Sequence, residues 1–502
     1  MNTDEGSTAI PIGEGPLARE ELKRRASDGV FIVGSRGVAM LVIGFVGNAV
    51  VARLLTPHAF GLVAIGMSFV LFTNVVADGG LAAGLIRRAA PPTRDELAAL
   101  TALQLCVTIG FALVAASVAP LFGEIGWLTA LMVASMPLAV LQFPGRIVLE
   151  RSLSYRPLAA LEVSQLLVYH AWAITLVALG FGVWGLASAT IAMRLAAVFV
   201  IARVSPVGLV APRFSWGKVK PLVGFGLRFQ ATGATWLVRD QGLNASVAAL
   251  GSLSVLGLWS LARRLMELPF LLFESLFRVS FPTMSQLVAA KEDPARLIER
   301  AVGMAAIGGG IVLVALAGSA PGLVPGIFGE QWREASSVLP WACLGLAIGG
   351  PVSVATQGYL YAVGDAAGVL RAVLLQTAVL FAVAVPLVPV LGVSAIGLGL
   401  LASSVVEAIA LGRATSRWTH VRLVRPLLAP VGAGIAAGGL GWLVANVGHA
   451  DLLSGLAGGT CSILAFLAIM AVARRSLVDE TLRFAVGSMR LAVSRGSASD
   501  GV

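Results

Sequence analysis

Residues 261–279, LARRLMELPFLLFESLFRV, form an apolar stretch of membrane-spanning length that nevertheless carries Arg263, Arg264, Glu267, Glu274 and Arg278. At about 100° per helical residue, Arg263, Glu267, Glu274 and Arg278 fall within about 60° of one another. A charge in hydrocarbon costs about 2.5–3.5 kcal/mol on insertion scales. Such a stripe must therefore face a partner, a wet cavity or a substrate. The segment before it adds Arg228 and Arg239, eleven residues apart and so on one helix face, and then Asp240. At comparable depth elsewhere lie Arg36, Asp78, Glu162, His170, Arg194 and Glu407.

Guanidinium stays protonated and grips phosphate oxygens through two parallel N–H groups. Arg36, Arg228, Arg239, Arg263 and Arg264 are accordingly expected to form an anion site for a phosphate or pyrophosphate head group. Asp78, Asp240, Glu267 and Glu274 are the candidate ion-coupling or structural acids. Blander roles compete. Arg263–Glu267 and Glu274–Arg278 are i,i+4 pairs that could neutralise each other. Arg36 and Arg278 could snorkel to a near helix end. Asp78 and Glu274 could bind backbone or loop arginines such as Arg87 and Arg88. Arg239 and Asp240 point about 100° apart, an arrangement that disfavours pairing with each other. Glu162, Arg194 and Glu407 read as helix-packing ion pairs, and His170 as an interior histidine.

The elements that must position these groups are membrane helices. The chain of 502 residues is 57% hydrophobic and only 12% charged, where a soluble domain carries about 25% charged residues. This composition describes an all-α polytopic membrane protein. A span needs about 20 apolar residues. About fourteen candidates follow: 30–52, 59–86, 98–119, 127–147, 159–179, 183–202, 221–245, 255–281, 301–319, 337–361, 367–388, 393–412, 426–446 and 453–473. The connections 120–126, 180–182, 246–254, 389–392 and 447–452 contain no Lys or Arg. On that side only Arg53 and Arg333 appear, whereas Arg87, Arg88, Arg94, Arg213, Lys218, Lys220, Arg413, Arg417, Arg422 and Arg425 collect opposite. The positive-inside rule then places both termini in the cytoplasm. It also accounts for the net charge of +10 without nucleic acid.

Two stretches repeat. ARLLTPHAFGLVAI (52–65) resembles AALGSLSVLGLWSL (248–261), and GFGVWGLA (180–187) resembles VLGVSAIG (390–397). The organisation expected is a cytoplasmic N-terminal tail 1–28, a six-helix half 29–202, a cytoplasmic linker 203–220, a second six-helix half 221–412, two further helices 413–474 and a cytoplasmic amphipathic tail 475–502. Six is even, so the repeat is parallel, with its axis along the membrane normal. Cys106, Cys343 and Cys461 lack metal or disulfide spacing and read as small core residues. The polar first 28 residues and the long apolar run that follows do not resemble a cleavable signal peptide. GxxxxGK[ST], HExxH and GxSxG do not occur, so neither nucleotide hydrolysis nor a cofactor is expected.

The stretch VARLLTPHAFGLVAIGMSFVLFTNVVADGGLAAGLIRR (51–88) resembles the N-terminal signature of Wzx-type polysaccharide and O-antigen unit flippases. These belong to the multidrug/oligosaccharidyl-lipid/polysaccharide (MOP) exporter superfamily. The resemblance rests on the Arg-Leu-Leu helix end, Pro57, Phe60-Gly61-Leu62, Asp78-Gly79-Gly80 and the basic turn Arg87-Arg88. LGLWSLARRLMELP (256–269) and FPTMSQL (281–287) are similar to that family too. Trp259 departs from it, standing where an aromatic hydroxyl is more usual.

The resemblance implies a V-shaped, MATE-like bundle of two six-helix halves, with helices one, two, seven and eight lining a cavity. It implies a non-enzymatic, monomeric flippase in the bacterial inner membrane. The cargo would be an undecaprenyl-diphosphate-linked oligosaccharide, moved to the periplasmic leaflet by alternating access for capsule, exopolysaccharide or O-antigen. Partners would be membrane lipids and the polysaccharide polymerase and chain-length machinery. The alternatives are a cation-coupled multidrug exporter of the same fold, which favours an acidic cavity, and a polyprenyl-phosphate-dependent ligase, which requires a large periplasmic loop.

Overall fold

The computed structural model describes residues 19–87, 91–290, 293–447 and 451–474, with side chains from residue 34 onward except at a few positions in 86–87 and 222–236. All regular structure among the described residues is helical. The expected amphipathic tail at 475–502 and the first 18 residues lie outside them. The chain divides into two compact units, 1–245 and 246–502.

The first unit holds α1 (Arg19–Leu54), α2 (Pro57–Asp78), α3 (Leu81–Arg87), α4 (Arg94–Val118), α5 (Gly123–Val133), α6 (Met136–Val140), α7 (Phe143–Arg151), α8 (Tyr155–Leu176), α9 (Val183–Val204) and most of α10 (Trp216–Leu250). Its helix ends are written in the sequence. Thr56 caps α2 ahead of Pro57, and Gly79, at φ +50°, ends it in the left-handed region, which glycine enters without a Cβ penalty. Thr93 and Glu96 form a reciprocal capping box on α4. Within the unit, α1 and α9 each pack against α8, and α5 packs against α2 and α4.

The second unit holds α11 (Leu253–Ala289), α12 (Ala295–Phe328), α13 (Leu339–Ala362), α14 (Ala366–Leu391), α15 (Ser394–Thr415), α16 (Val424–Asn446) and α17 (Leu452–Ala473). A 3-10 stretch, Glu330–Val338, joins α12 to α13. α15 packs against α13 and α14, while α12, α16 and α17 form a mutually packed trio. Asp451 and Ser454 make a capping box on α17. The backbone N–H of Ser454 holds the exposed Asp451 carboxyl below the usual range. A depressed pKa means this cap contributes at neutral pH and is lost as pH falls through the lowered value.

Large side chains on the outside confirm a lipid-solvated fold: Leu113, Val390 and Val472 are 66%, 79% and 90% exposed. Water would penalise such a surface, whereas hydrocarbon matches it while the helices satisfy their own backbone groups. Eleven helical stretches among the described residues are long and apolar enough to cross a membrane. The difference from fourteen arises at three places. The third and fourth expected spans merge into one stretch, Arg94–Val140. α10 and α11 are long enough, at 35 and 37 residues, but are not among the eleven. For α11 the reason is plain, since it carries the five charged residues of the opening stripe.

Three further expectations change. The span expected at 127–147 is not one helix. It breaks into α5, α6 and α7, with Pro137 and Pro144 each in the first turn of a new piece, because proline lacks the N–H that would continue the preceding helix. Second, α12 runs through Pro321 and Pro325 to Phe328 instead of ending near 319. Third, of the cysteines only Cys343 is buried; Cys106 is exposed on α4 and Cys461 is intermediate.

α16 and α17 dock through a seam of small residues. A Cβ on Gly441 would overlap the Gly458 carbonyl oxygen and the Ser462 hydroxyl, and one on Gly318 of α12 would overlap the same hydroxyl. Helices without side chains between them approach backbone to backbone, the usual packing mode where lipid offers no hydrophobic drive. Replacing Gly458 by leucine should therefore separate α17 from α16 and α12. We expect a cost of about 1–3 kcal/mol or more, the range for overpacking a fitted site. It should appear as a lower unfolding temperature of the detergent-purified protein.

Candidate functional site

Charged and polar side chains gather in two different settings. In the first unit they lie inside the bundle. Arg36 of α1 pairs with Glu162 of α8, Nη1 to Oε2, at 2.7 Å. The other oxygen of Glu162 accepts from Nη2 of Arg146 on α7 at 3.2 Å, and Arg146 Nε donates to Glu150 at 2.7 Å, one turn along α7. Close by in sequence, Gln165 Nε2 donates to Gln142 Oε1 at 2.8 Å. Arg194, on α9, has Arg146 as its charged neighbour, and no carboxylate of the described residues lies within ion-pair distance of it. His170 is buried, stacked edge-on against Tyr169, with its ring filling the space that Gly47 leaves open on α1.

In the second unit the charges lie on the outer face of α11. Its opposite face is apolar and buried through Leu256, Trp259, Leu261, Ala262, Leu265, Met266, Pro269 and Phe273. The Phe273 ring presses against Gly309 of α12 and Gly350 of α13, where no Cβ intervenes. With that face anchored, helical periodicity turns the charged stripe outward. Arg264, Glu267, Glu274 and Arg278 are exposed, and Arg263 is half-buried. Glu274 and Arg278 pair at 2.7 Å with side chains 58% and 74% exposed. Exposed pairs of this kind contribute little, about 0–1 kcal/mol.

The remaining expected residues divide as follows. Asp78 Oδ2 accepts the Gly80 N–H at 3.2 Å, closing the left-handed turn after α2. Arg239 Nε donates to Asp240 Oδ1 at 3.1 Å. Adjacent residues thus do pair, contrary to the 100° argument, because a long guanidinium arm can swing back across its own helix. Arg228 sits on α10, but its side chain lies outside the described residues. Arg36, close to the start of the apolar stretch Gly34–Leu54, is met by the Glu162 carboxylate. Arg194 is not the partner of an acid. Glu407, expected as an ion-pair member, accepts from two carboxamides, Gln376 Nε2 at 2.7 Å and Gln357 Nε2 at 3.3 Å.

Arg146 and Glu150 were missed as site residues. Their i,i+4 spacing behind Pro144 was a readable signal, hidden by the assumption of one continuous span. No group of three or more His, Cys, Asp or Glu suited to a metal ion occurs among the described residues. A separate groove of about 400 Å³ between α12, α13 and α16 is lined by Val314, Trp341, Leu344, Ile435 and Trp442 and carries no charge. It suits hydrocarbon.

With this geometry described, the comparisons are informative. Residues 50–337 match the family described as "Polysaccharide biosynthesis protein". A succinoglycan biosynthesis transport protein, ExoT, of Rhizobium meliloti (strain 1021) is 26% identical over 336 residues, which is 64% of this chain and 66% of that one. The match therefore spans just under two thirds of that relative's length. Among solved structures, the lipid II flippase MurJ in an inward closed conformation superposes with a TM-score of 0.68 at 11% identity, covering 89% of this chain and all of that one. An inward-facing multidrug-resistance MATE transporter of the MOP superfamily gives 0.53 at 18% identity, covering 75% and 94%. At such identities the structural likeness establishes the fold alone.

The carboxamide cradle around Glu407 generates a test of its own. Glu407→Leu would remove the acceptor shared by the half-buried Gln357 and Gln376 amides, and a lost partner of this kind costs about 1–3 kcal/mol. Glu407→Gln keeps an acceptor in place. We expect a clear drop in the unfolding temperature for the leucine variant and a much smaller one for glutamine.

Proposed function

The chain belongs to the polysaccharide biosynthesis protein family, a MOP-type transporter rather than an enzyme, and from that premise we propose what it carries and how. The cargo is an undecaprenyl-diphosphate-linked oligosaccharide, moved from the cytoplasmic to the periplasmic leaflet by alternating access. The site is the inner membrane of a bacterium, with both termini cytoplasmic. Two six-helix halves, 29–202 and 221–412, joined by the basic linker 203–220, rock against each other, and the helices of 413–474 are an addition to that core.

One observation carries this reading. α11 buries a wholly apolar face against α12 and α13 while presenting Arg264, Glu267, Glu274 and Arg278 on the other, with Arg263 at the margin. Hydrocarbon cannot solvate that outer face, so it belongs against water and an anionic head group. Within the first unit, Arg36 and Arg239 are the guanidinium groups proposed to meet the same kind of anion. Of the four acids, Asp240 and Glu267 are the candidates for coupling to a proton or cation gradient. Asp78 holds a turn, and Glu274 is matched by Arg278. The charge-free groove beside α16 is compatible with a polyprenyl tail. A cation exporter would favour an acidic cavity, and the arginine excess along α10 and α11 speaks against it.

The decisive experiment deletes the gene and measures lipid-linked glycan intermediates in each leaflet. Accumulation in the inner leaflet supports the proposal; an unchanged distribution refutes it. Complementation with Arg239→Ala or Arg263→Ala should restore membrane insertion but lower polysaccharide export at least about tenfold, the scale of about 1.4 kcal/mol lost at a bidentate anion contact. Undiminished export in both variants would remove these residues from the site.

A further inference from the structure

The polar core of the first unit contains more donors than its own acceptors can use. Arg36, Arg146 and Arg194 bring three guanidinium groups, and Glu150 and Glu162 are the acids paired with them, with Asp78 a further acid within electrostatic reach of Glu150. Both oxygens of Glu162 are already engaged, one by Arg36 and one by Arg146. Three buried donor atoms nevertheless have no hydrogen-bond partner: Arg36 Nε, Arg194 Nε and Gln142 Nε2. Orphaned donors of this kind cost about 1–3 kcal/mol each, and a guanidinium with no acid beside it in a membrane bundle costs more. The cluster is also reachable, since the side chains of Arg36 and Arg146 retain 27% and 41% exposure.

We propose that Arg36, Arg146 and Arg194, with the Gln142 amide, form an anion site inside the first unit that takes a phosphate-type group. Glu162 is its internal competitor. In the state described here the Glu162 carboxylate bridges Arg36 and Arg146 as a ligand phosphate would. An arriving anion takes those guanidinium groups over and satisfies the orphaned donors as well, which a carboxylate with two engaged oxygens cannot. Arg36 thus has two alternative partners, one built in and one brought by the ligand. The source of the phosphate group is either a lipid-linked diphosphate, in which case the inference rests on the transport reading above, or a free inorganic anion.

The test uses the full chain purified in detergent and titrated with inorganic pyrophosphate in a chloride-free buffer. Each variant is first checked for monodispersity and unfolding temperature. Arg194→Gln should weaken binding about tenfold or more, the scale of one lost charge-assisted contact. Glu162→Gln, which removes the competing charge and keeps the shape, should tighten it by about threefold to tenfold. Arg333→Ala, on the 3-10 stretch of the other unit, should change nothing. If Arg194→Gln does not fold, Glu162→Gln decides alone: tighter binding supports the site, and unchanged or weaker binding overturns it. Wild-type affinity in both variants, absence of any binding, or binding lost only in Arg263→Ala would each overturn it. That last outcome leaves the transport reading standing, just as an anion site confirmed here would survive an unchanged leaflet distribution. Farnesyl diphosphate that competes with pyrophosphate, and depends on Arg194 and Glu162 in the same way, assigns the source to a lipid diphosphate. Pyrophosphate binding without such competition assigns it to the free anion.

Discussion

Ionised groups packed among apolar helices need a partner supplied by the protein, and most of this structure's particular features follow from how that need is met. In the first unit the answer is a chain of alternating charges: Arg36, Glu162, Arg146 and Glu150 link α1, α8 and α7 through contacts of 2.7–3.2 Å. Such pairs recover little net energy over an apolar core, but removing one member strands the other. The network therefore fixes which helices meet, and in which rotation, more than it adds to stability. In the second unit the answer is segregation. α11 keeps its charges on one face and seats the other through Phe273 between glycines of two neighbours.

Much of the architecture could be read from residue order. Apolar length and caps such as Thr56-Pro57 and Thr93 through Glu96 are local signals, and local signals survive folding. The outward stripe on α11 was legible for the same reason, since periodicity alone puts Glu267 and Glu274 on one face. What escaped was tertiary. Nothing in the spacing of Arg36 and Glu162, on α1 and α8, indicates that they touch. The Arg239–Asp240 contact was misjudged because helical angles locate Cβ atoms, whereas a guanidinium sits several bonds further out. Arg146 was overlooked because hydropathy averages across Pro137 and Pro144, where the backbone breaks. The amides that reach Glu407 could not be foreseen, because carboxamides leave no trace in a charge pattern.

The two units thus treat similar inventories differently. The first internalises its charge and leaves donors in excess of acceptors. The second displays charge on α11 and places the buried carboxylate of Glu407 between amides from α13 and α14.

The length of α11 has a geometric consequence. At about 1.5 Å per residue its 37 residues extend about 55 Å, against a hydrocarbon thickness of about 30 Å. Even a lean of about 40°, the upper end for membrane helices, leaves a vertical rise of about 42 Å. The helix must therefore run on beyond the hydrocarbon into the head-group layer on at least one side, with Pro269 and Pro282 inside it as the places where it can bend.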